Sequence, residues 1–169
     1  MTTATVPSHH KAKAKYDMRV FAFVQPESRL VDYRKASDIY VALVQLGISD
    51  HLKIDHGIVV PAHNEGELGF SVAVDRRAIL RNEGNVMDVW AIGKRLFAGP
   101  GIVYAHTLTQ KSIDCPPAPV RFFDSMEAIE KEFTDKTLEV PRAWDGPVIA
   151  WTWPAPAPEI IMARARGSN

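Results

Sequence analysis

The residues of this chain that could do chemistry come in short, separate groups. His63-Asn64-Glu65 lies in the stretch PAHNEGE. A His with a Glu two residues on is half of the zinc deaminase pattern, in which the His holds the metal and the Glu moves protons. The other half is Pro-Cys-x-x-Cys, and this chain has one cysteine, Cys115, which precedes Pro116. The pattern fails where the metal needs its thiolates, and a polar hairpin turn is the better reading. His51 and His56 flank a short segment, with Asp50 and Asp55 beside them. At that spacing on a regular strand two imidazoles point to opposite faces, so no shared metal is expected. His106 with Asp114 and Cys115 has the residue types of a thiol nucleophile and its base. The Pro-rich context CPPAP offers no helix N-terminus to lower the thiol pKa, so a structural or exposed cysteine is expected. There is no Gly-x-Ser-x-Gly elbow, phosphate-binding loop or dinucleotide fingerprint. Neither a metal nor a cofactor is expected, and no catalytic residue is assigned.

Binding chemistry is better represented. The stretch RRAILRNEGNVMDVWAIGKRLFAGPGIVYA carries Arg76, Arg77 and Arg81 before a polar Asn-Glu-Gly-Asn centre and Lys94-Arg95 after it. If residues 82–85 form a hairpin tip, its flanks bring these cations together. Guanidinium forks could then grip a phosphate or the carboxylates of an acidic protein surface. The plain alternative is a solvated surface with ion pairs to Asp75, Glu83 and Asp88. Trp90 and Phe97 are read as core residues. The C-terminal stretch holds Trp144, Trp151 and Trp153, then a Pro-Ala rod and EIIMARAR. Aromatic and Arg side chains are enriched at interfaces, so Trp151 and Trp153 join the candidate binding set, although VIAWTW also reads as a last core strand.

The elements that must position these groups follow from periodicity and punctuation. RVFAFV reads as a buried strand, Pro26-Glu27-Ser28 as a turn and RLVDY as a second strand. Ser37 or Asp38 can cap a helix carrying Ile39, Leu43 and Leu46 on one face and ending at Gly47. HLKIDHGIVVPA reads as two strands or one bent strand, Asn64–Glu67 as a turn, and GFSVAVD as a strand with Phe70, Val72 and Val74 on one face. These predict an antiparallel meander after the first helix. Asp88–Arg95 suits a short helix or a strand, GIVYAHTL a strand, and CPPAP a stiff connector. VRFF is a strand, and Asp124 as N-cap with Glu127 makes a capping box for a helix presenting Met126, Ile129 and Phe133.

The totals fit this plan. A length of 169 residues suits one domain with a real core, and 46% hydrophobic with 24% charged residues is ordinary for a globular chain. The formal net charge is +0, so no strongly polyanionic partner is advertised globally. The single cysteine fits a reducing compartment, and neither a signal-peptide core nor a membrane span is present in the sequence, so a cytoplasmic location is expected. The reading is a basic tail over residues 1–16, one α+β domain over 17–140, and a Trp/Pro-rich extension over 141–169. An antiparallel or mixed sheet carries two helices on one face.

The segments RVFAFVQPES, HGIVVPAHNEGELG, VDRRAIL and GKRLFAGPGIVYA resemble, in order and content, a family of small uncharacterised domains carried by phages and plasmids. The matching pieces are Asn64-Glu65-Gly66, Arg76-Arg77 and Phe97-Ala98-Gly99, within residues 19–105. The resemblance implies a mobile-element accessory protein without an assigned reaction. Together with the residues it gives three expectations. The first is a non-enzymatic binding protein that self-associates or engages a protein partner through the basic hairpin and the Pro/Trp tail. The second is a DNA- or RNA-binding accessory protein using the Lys-bearing N-terminus and the Arg76–Arg95 stretch. The third is a small hydrolase or transferase on a phosphorylated substrate, with His51, His56 or His63 as acid or base. No membrane partner is expected.

Overall fold

A computed structural model describes residues 17–50, 53–82 and 84–139. The expectations for residues 1–16 and 141–169, and those for His51, Glu83, Trp144, Trp151 and Trp153, lie outside the described residues. The chain builds an α+β architecture in which two antiparallel sheets pack face to face, each with a helix on its outer side.

The first sheet is built from β1 (Arg19–Gln25), β2 (Leu30–Ala36), β3 (Ile54–Val60), β4 (Gly69–Asp75) and β7 (Gly101–His106), with β8 (Ser112–Ile113) beside the end of β7. The spatial order is β2-β1-β7-β4-β3. The expected antiparallel pairing after the first helix is that of β3 with β4, and β7 inserts between β1 and β4 and pairs antiparallel with both. Its sequence GIVYAH has the near-continuous apolar character that a central strand needs. The segment expected as two strands or one bent strand is the single strand β3, with a register shift between Ile58 and Val60.

The second sheet has the order β6-β5-β9, from β5 (Val89–Ile92), β6 (Arg95–Ala98) and β9 (Arg121–Phe122). The ambiguous Asp88–Arg95 stretch thus resolves as a strand preceded by a 3-10 turn over Val86–Asp88. Trp90 and Ile92 of β5 and Phe97 of β6 meet Ala22, Val24, Val72, Val74, Val103 and Ala105 between the sheets. Trp90 is fully buried, and its indole N–H donates to the carbonyl of Gly99 at 2.9 Å, so the core keeps its polar atom satisfied. Gly101 has no room for a side chain, because a Cβ there would stand 2.7 Å from the Trp90 ring.

Helix α1 (Ile39–Gln45) starts at Asp38, whose carboxylate accepts from the Val41 N–H at 2.9 Å. It lays Ala42 and Leu43 on Phe21, Phe23, Ala73 and Ile102, the outer face of the first sheet. A one-turn helix α2 (Ala78–Arg81) follows β4. Helix α3 (Met126–Thr134) packs Ile129 against Val89, Ala91, Leu96 and Ala98, the outer face of the second sheet, with Met126 and Phe133 at its margin. The helices therefore cover the outer faces of two different sheets; the expectation of both on one face presumed a single sheet. The N-cap of α3 is Ser125, whose hydroxyl accepts from the Ala128 N–H at 3.2 Å, and not Asp124. That register moves Glu127 out of the capping-box position. Asp124 instead faces Arg29 across 3.6 Å.

Candidate functional site

Helix α1 is short, and it covers only part of the outer face of the first sheet. Beyond it the pleat continues, with Ile54, His56 and Ile58 on β3, Gly69, Ser71 and Ala73 on β4, and Ile102, Tyr104 and His106 on β7 sharing this side by period-2 alternation. Register places Ser71 opposite both Ile58 and Tyr104, and Gly69 opposite His106. Ile54, Ala73 and Ile102 lie under α1, and the residues beyond them on each strand emerge past it. They line a pocket of about 220 Å³ formed by His56, Gly57, Ile58, Ser71, Tyr104, His106, Gln110 and Ser112.

The floor is the buried part. Ser71 is 4% exposed and His106 5%, and Ser71 Oγ lies 3.2 Å from His106 Nδ1. Tyr104 stands beside them, with its hydroxyl near Ser71 and its ring packed 6.3 Å from that of Phe21. Burial governs the ionisation of both rings. It pushes His106 below the ordinary imidazole value and the Tyr104 phenol above its ordinary value. At neutral pH both are uncharged, and each both donates and accepts hydrogen bonds. His56, Ile58, Gln110 and Ser112 are exposed and form the rim.

Local irregularities shape the cavity. The imidazole of His106 lies over Gly69 so closely that a Cβ there would meet Nε2 at 2.3 Å and the carbonyl oxygen of Val60 at 2.6 Å. The register shift of β3 falls immediately after Ile58, at the pocket wall, a placement typical of β-bulges that re-aim side chains. Gln110 holds a left-handed conformation, φ 64°, that side chains other than Gly adopt at a cost. The hairpin Thr107–Lys111 enforces it: the Gln110 N–H donates to the Thr107 carbonyl and the Thr107 N–H to the Lys111 carbonyl.

The residues singled out by sequence fall elsewhere. Asn82, Gly84 and Asn85 lie between α2 and the 3-10 turn, and the tight hairpin turn is Gly93-Lys94 between β5 and β6. Helix α2 packs beside β6, with Ala78 against Gly99 at the far end of that strand. Arg81 pairs with Asp75 at 2.9 Å, as the plain alternative supposed, and the Arg77 N–H donates to the same carboxylate. Arg76 is half-buried, Lys94 is exposed and Arg95 lies over the Phe97 ring at 5.3 Å. None of them lines the pocket. His63 is exposed in the turn, where Glu67 accepts from its backbone N–H. Cys115 packs between the sheets, on the face opposite His106, and burial pushes its thiol up to about 11. The imagined His106–Cys115 pair is therefore not assembled. Asp114 instead accepts from the Val20 N–H at 2.8 Å.

Sequence reasoning passed over Ser71, Tyr104, Gln110 and Ser112. Alternation in GFSVAVD and GIVYAH was a usable signal, since the residues left off the Phe70-Val72-Val74 face include Gly69 and Ser71, and Tyr104 and His106 share a face two apart. Only the pairing of β4 with β7 brings them together. Among the described residues no cluster of three or more His, Cys, Asp or Glu could hold a metal ion. Among the described residues no helix is long and apolar enough to cross a membrane. Comparison with protein-family models, curated proteins and solved structures gives no match for this chain.

Proposed function

We propose that this protein works by binding rather than by catalysis, and that it binds a small uncharged ligand in the pocket past the end of α1. The observation that supports this reading is the Ser71–His106 pair, buried and hydrogen-bonded yet forming the floor of an open cavity. A pocket with a few convergent polar groups on a rigid scaffold is the usual form of a small-molecule site. Two features argue against a serine nucleophile. Among the described lining residues there is no carboxylate to orient the imidazole, the third member of the familiar triad. Ser71 also lies within a strand paired on both sides, so its neighbourhood offers no free pair of N–H groups for an oxyanion.

The test is a fragment screen followed by NMR of the imidazole and backbone resonances, beside an activated-ester hydrolysis assay. Shifts at Ser71, Tyr104 and His106 with at least one uncharged fragment, and no ester turnover dependent on Ser71, are expected. Ester hydrolysis that disappears in Ser71→Ala would make the protein an enzyme. Silence of the pocket resonances toward every fragment at millimolar concentration would remove the binding reading.

A further inference from the structure

The reading above leaves the ligand's chemical class open, and the pocket lining narrows it. We infer that the pocket accepts the edge of an uncharged purine or pyrimidine base, inserted with its hydrogen-bonding rim toward Ser71, His106 and the Tyr104 hydroxyl and its faces toward His56 and Ile58. This inference rests on the proposed binding role and deepens it.

Size comes first. A cavity of 150 Å³ holds benzene, so about 220 Å³ accommodates one ring or two fused rings and is too small for a typical drug-sized ligand. Charge comes second. No Lys, Arg, Asp or Glu is among the described lining residues, whereas phosphate and carboxylate ligands are ordinarily held by cationic side chains or clustered N–H groups. Polarity is third, and it is arranged by depth. The buried floor is a hydroxyl and an imidazole, while the upper walls and rim carry an aromatic ring, a second imidazole and an aliphatic side chain. A sugar presents hydroxyls all around its ring and would leave some facing Ile58. A planar base presents donors and acceptors on its edge only, and its π-faces suit aromatic neighbours. Ser71, Tyr104 and Ser112 hydroxyls both donate and accept, and the Gln110 amide offers one of each, so the lining can match the mixed donor–acceptor edge of a base. The Gln110 backbone, fixed in its left-handed conformation, anchors this side chain at the rim.

The experiment uses the full chain and follows His106 and Tyr104 side-chain resonances, with calorimetry for affinity. Its arms are uracil, adenine and guanine; uridine and guanosine; a short single-stranded oligonucleotide; glucose; and inorganic phosphate. Free bases are expected to bind with dissociation constants of roughly 0.01–1 mM, the range open to so few atoms. The nucleoside and oligonucleotide arms then show whether the base is taken free or as part of a larger molecule. Tyr104→Phe and Gln110→Gly should each weaken base binding about tenfold through a lost hydrogen bond. Gln110→Gly keeps the test interpretable, because glycine is at ease at that φ and the variant folds. Binding of glucose or another non-aromatic fragment with no response to any base overturns the inference while leaving a small-ligand site. A pocket response to inorganic phosphate also overturns it. Base affinities unchanged in both variants place any binding elsewhere, and no response to any compound sinks the inference and the binding reading together.

Discussion

Replacing Gly69 with Ala probes the geometry of the pocket floor directly. The added Cβ would stand 2.3 Å from His106 Nε2 and 2.6 Å from the Val60 carbonyl oxygen. Non-bonded heavy atoms are comfortable near 3.5–4.0 Å, so the imidazole must retreat by about 1 Å and the β3 backbone by a similar amount. The first movement stretches the 3.2 Å contact between His106 and Ser71. The second pulls on the ladder between β3 and β4 beside the register shift. Overpacking of this kind costs about 1–3 kcal/mol, and a buried hydrogen bond left unmade costs about 1–3 kcal/mol. The two losses overlap, so a destabilisation of about 2–4 kcal/mol is expected, read from urea unfolding followed by circular dichroism. The His106 imidazole titration should shift at the same time. Gly57→Ala is the matched control on the neighbouring strand: its Cβ would meet nothing within 4 Å, and its stability should stay within about 0.5 kcal/mol of the parent. A Gly69→Ala protein as stable as Gly57→Ala, with an unmoved His106 titration, would refute the close approach of the imidazole to β4.

His106 also predicts a pH dependence. Burial depresses its pKa below the ordinary value near 6.5, so the unfolded chain binds more protons between the two values. The contribution is complete above about pH 6.5 and is lost as pH falls through the folded-state pKa; the slope of unfolding free energy against pH in that window should flatten in His106→Gln. Asp88 has the opposite sign. Desolvation, followed by the nearby Glu27, raises its carboxyl, so its contribution is present below about pH 3.8 and lost as pH rises through the folded value. Asp88→Asn should therefore raise the melting temperature at pH 7 and change it little near pH 3. Cys115, buried and with its thiol pushed up to about 11, should react with a disulfide reagent at pH 8 only on unfolding, giving slow native and fast denatured kinetics.

Much of the scaffold is legible along the chain because it depends on neighbours in sequence. Asp38 and Gly47 bracket α1, with Asp38 capping it and Gly47 at φ 85°, and the strand of Phe70, Val72 and Val74 follows a two-residue period. Where the two helices sit depends on partners far away. Sequence alone does not tell that β7 intervenes between β1 and β4, or that Trp90 and Phe97 belong to a second sheet. The cap of α3 slipped by one residue because Asp124 and Ser125 are both good caps, and the pairing with Arg29 lies outside any local pattern. The basic stretch looked like a cluster because Arg81 and Lys94 are near in sequence. In the fold Asp75 takes up Arg81. The pocket lay hidden for the converse reason: Ser71 and His106 are 35 residues apart and meet only through strand register.

What separates a binding pocket from a satisfied polar corner of the core is the price the fold bears for it. Ser71 and His106 continue a face whose other members under α1 are Phe21, Phe23, Ala73 and Ile102. An apolar pair there would extend that cluster without the need to satisfy two buried polar groups. Removing one partner of a buried hydrogen bond leaves the other unmet at a cost of about 1–3 kcal/mol, whereas replacing both with apolar groups of similar shape can be neutral or stabilising. Ser71→Ala and His106→Leu singly should each lose about 1–3 kcal/mol by that rule. The double variant Ser71→Val with His106→Leu should recover to within about 1 kcal/mol of the parent. It should also stop responding to any ligand that shifts the pocket resonances of the parent. Recovery of stability with loss of binding identifies the pair as retained for the ligand. If the double variant is instead the least stable of the three, the hydrogen bond is part of what holds β4 to β7, and the pocket above it loses its main support as a site.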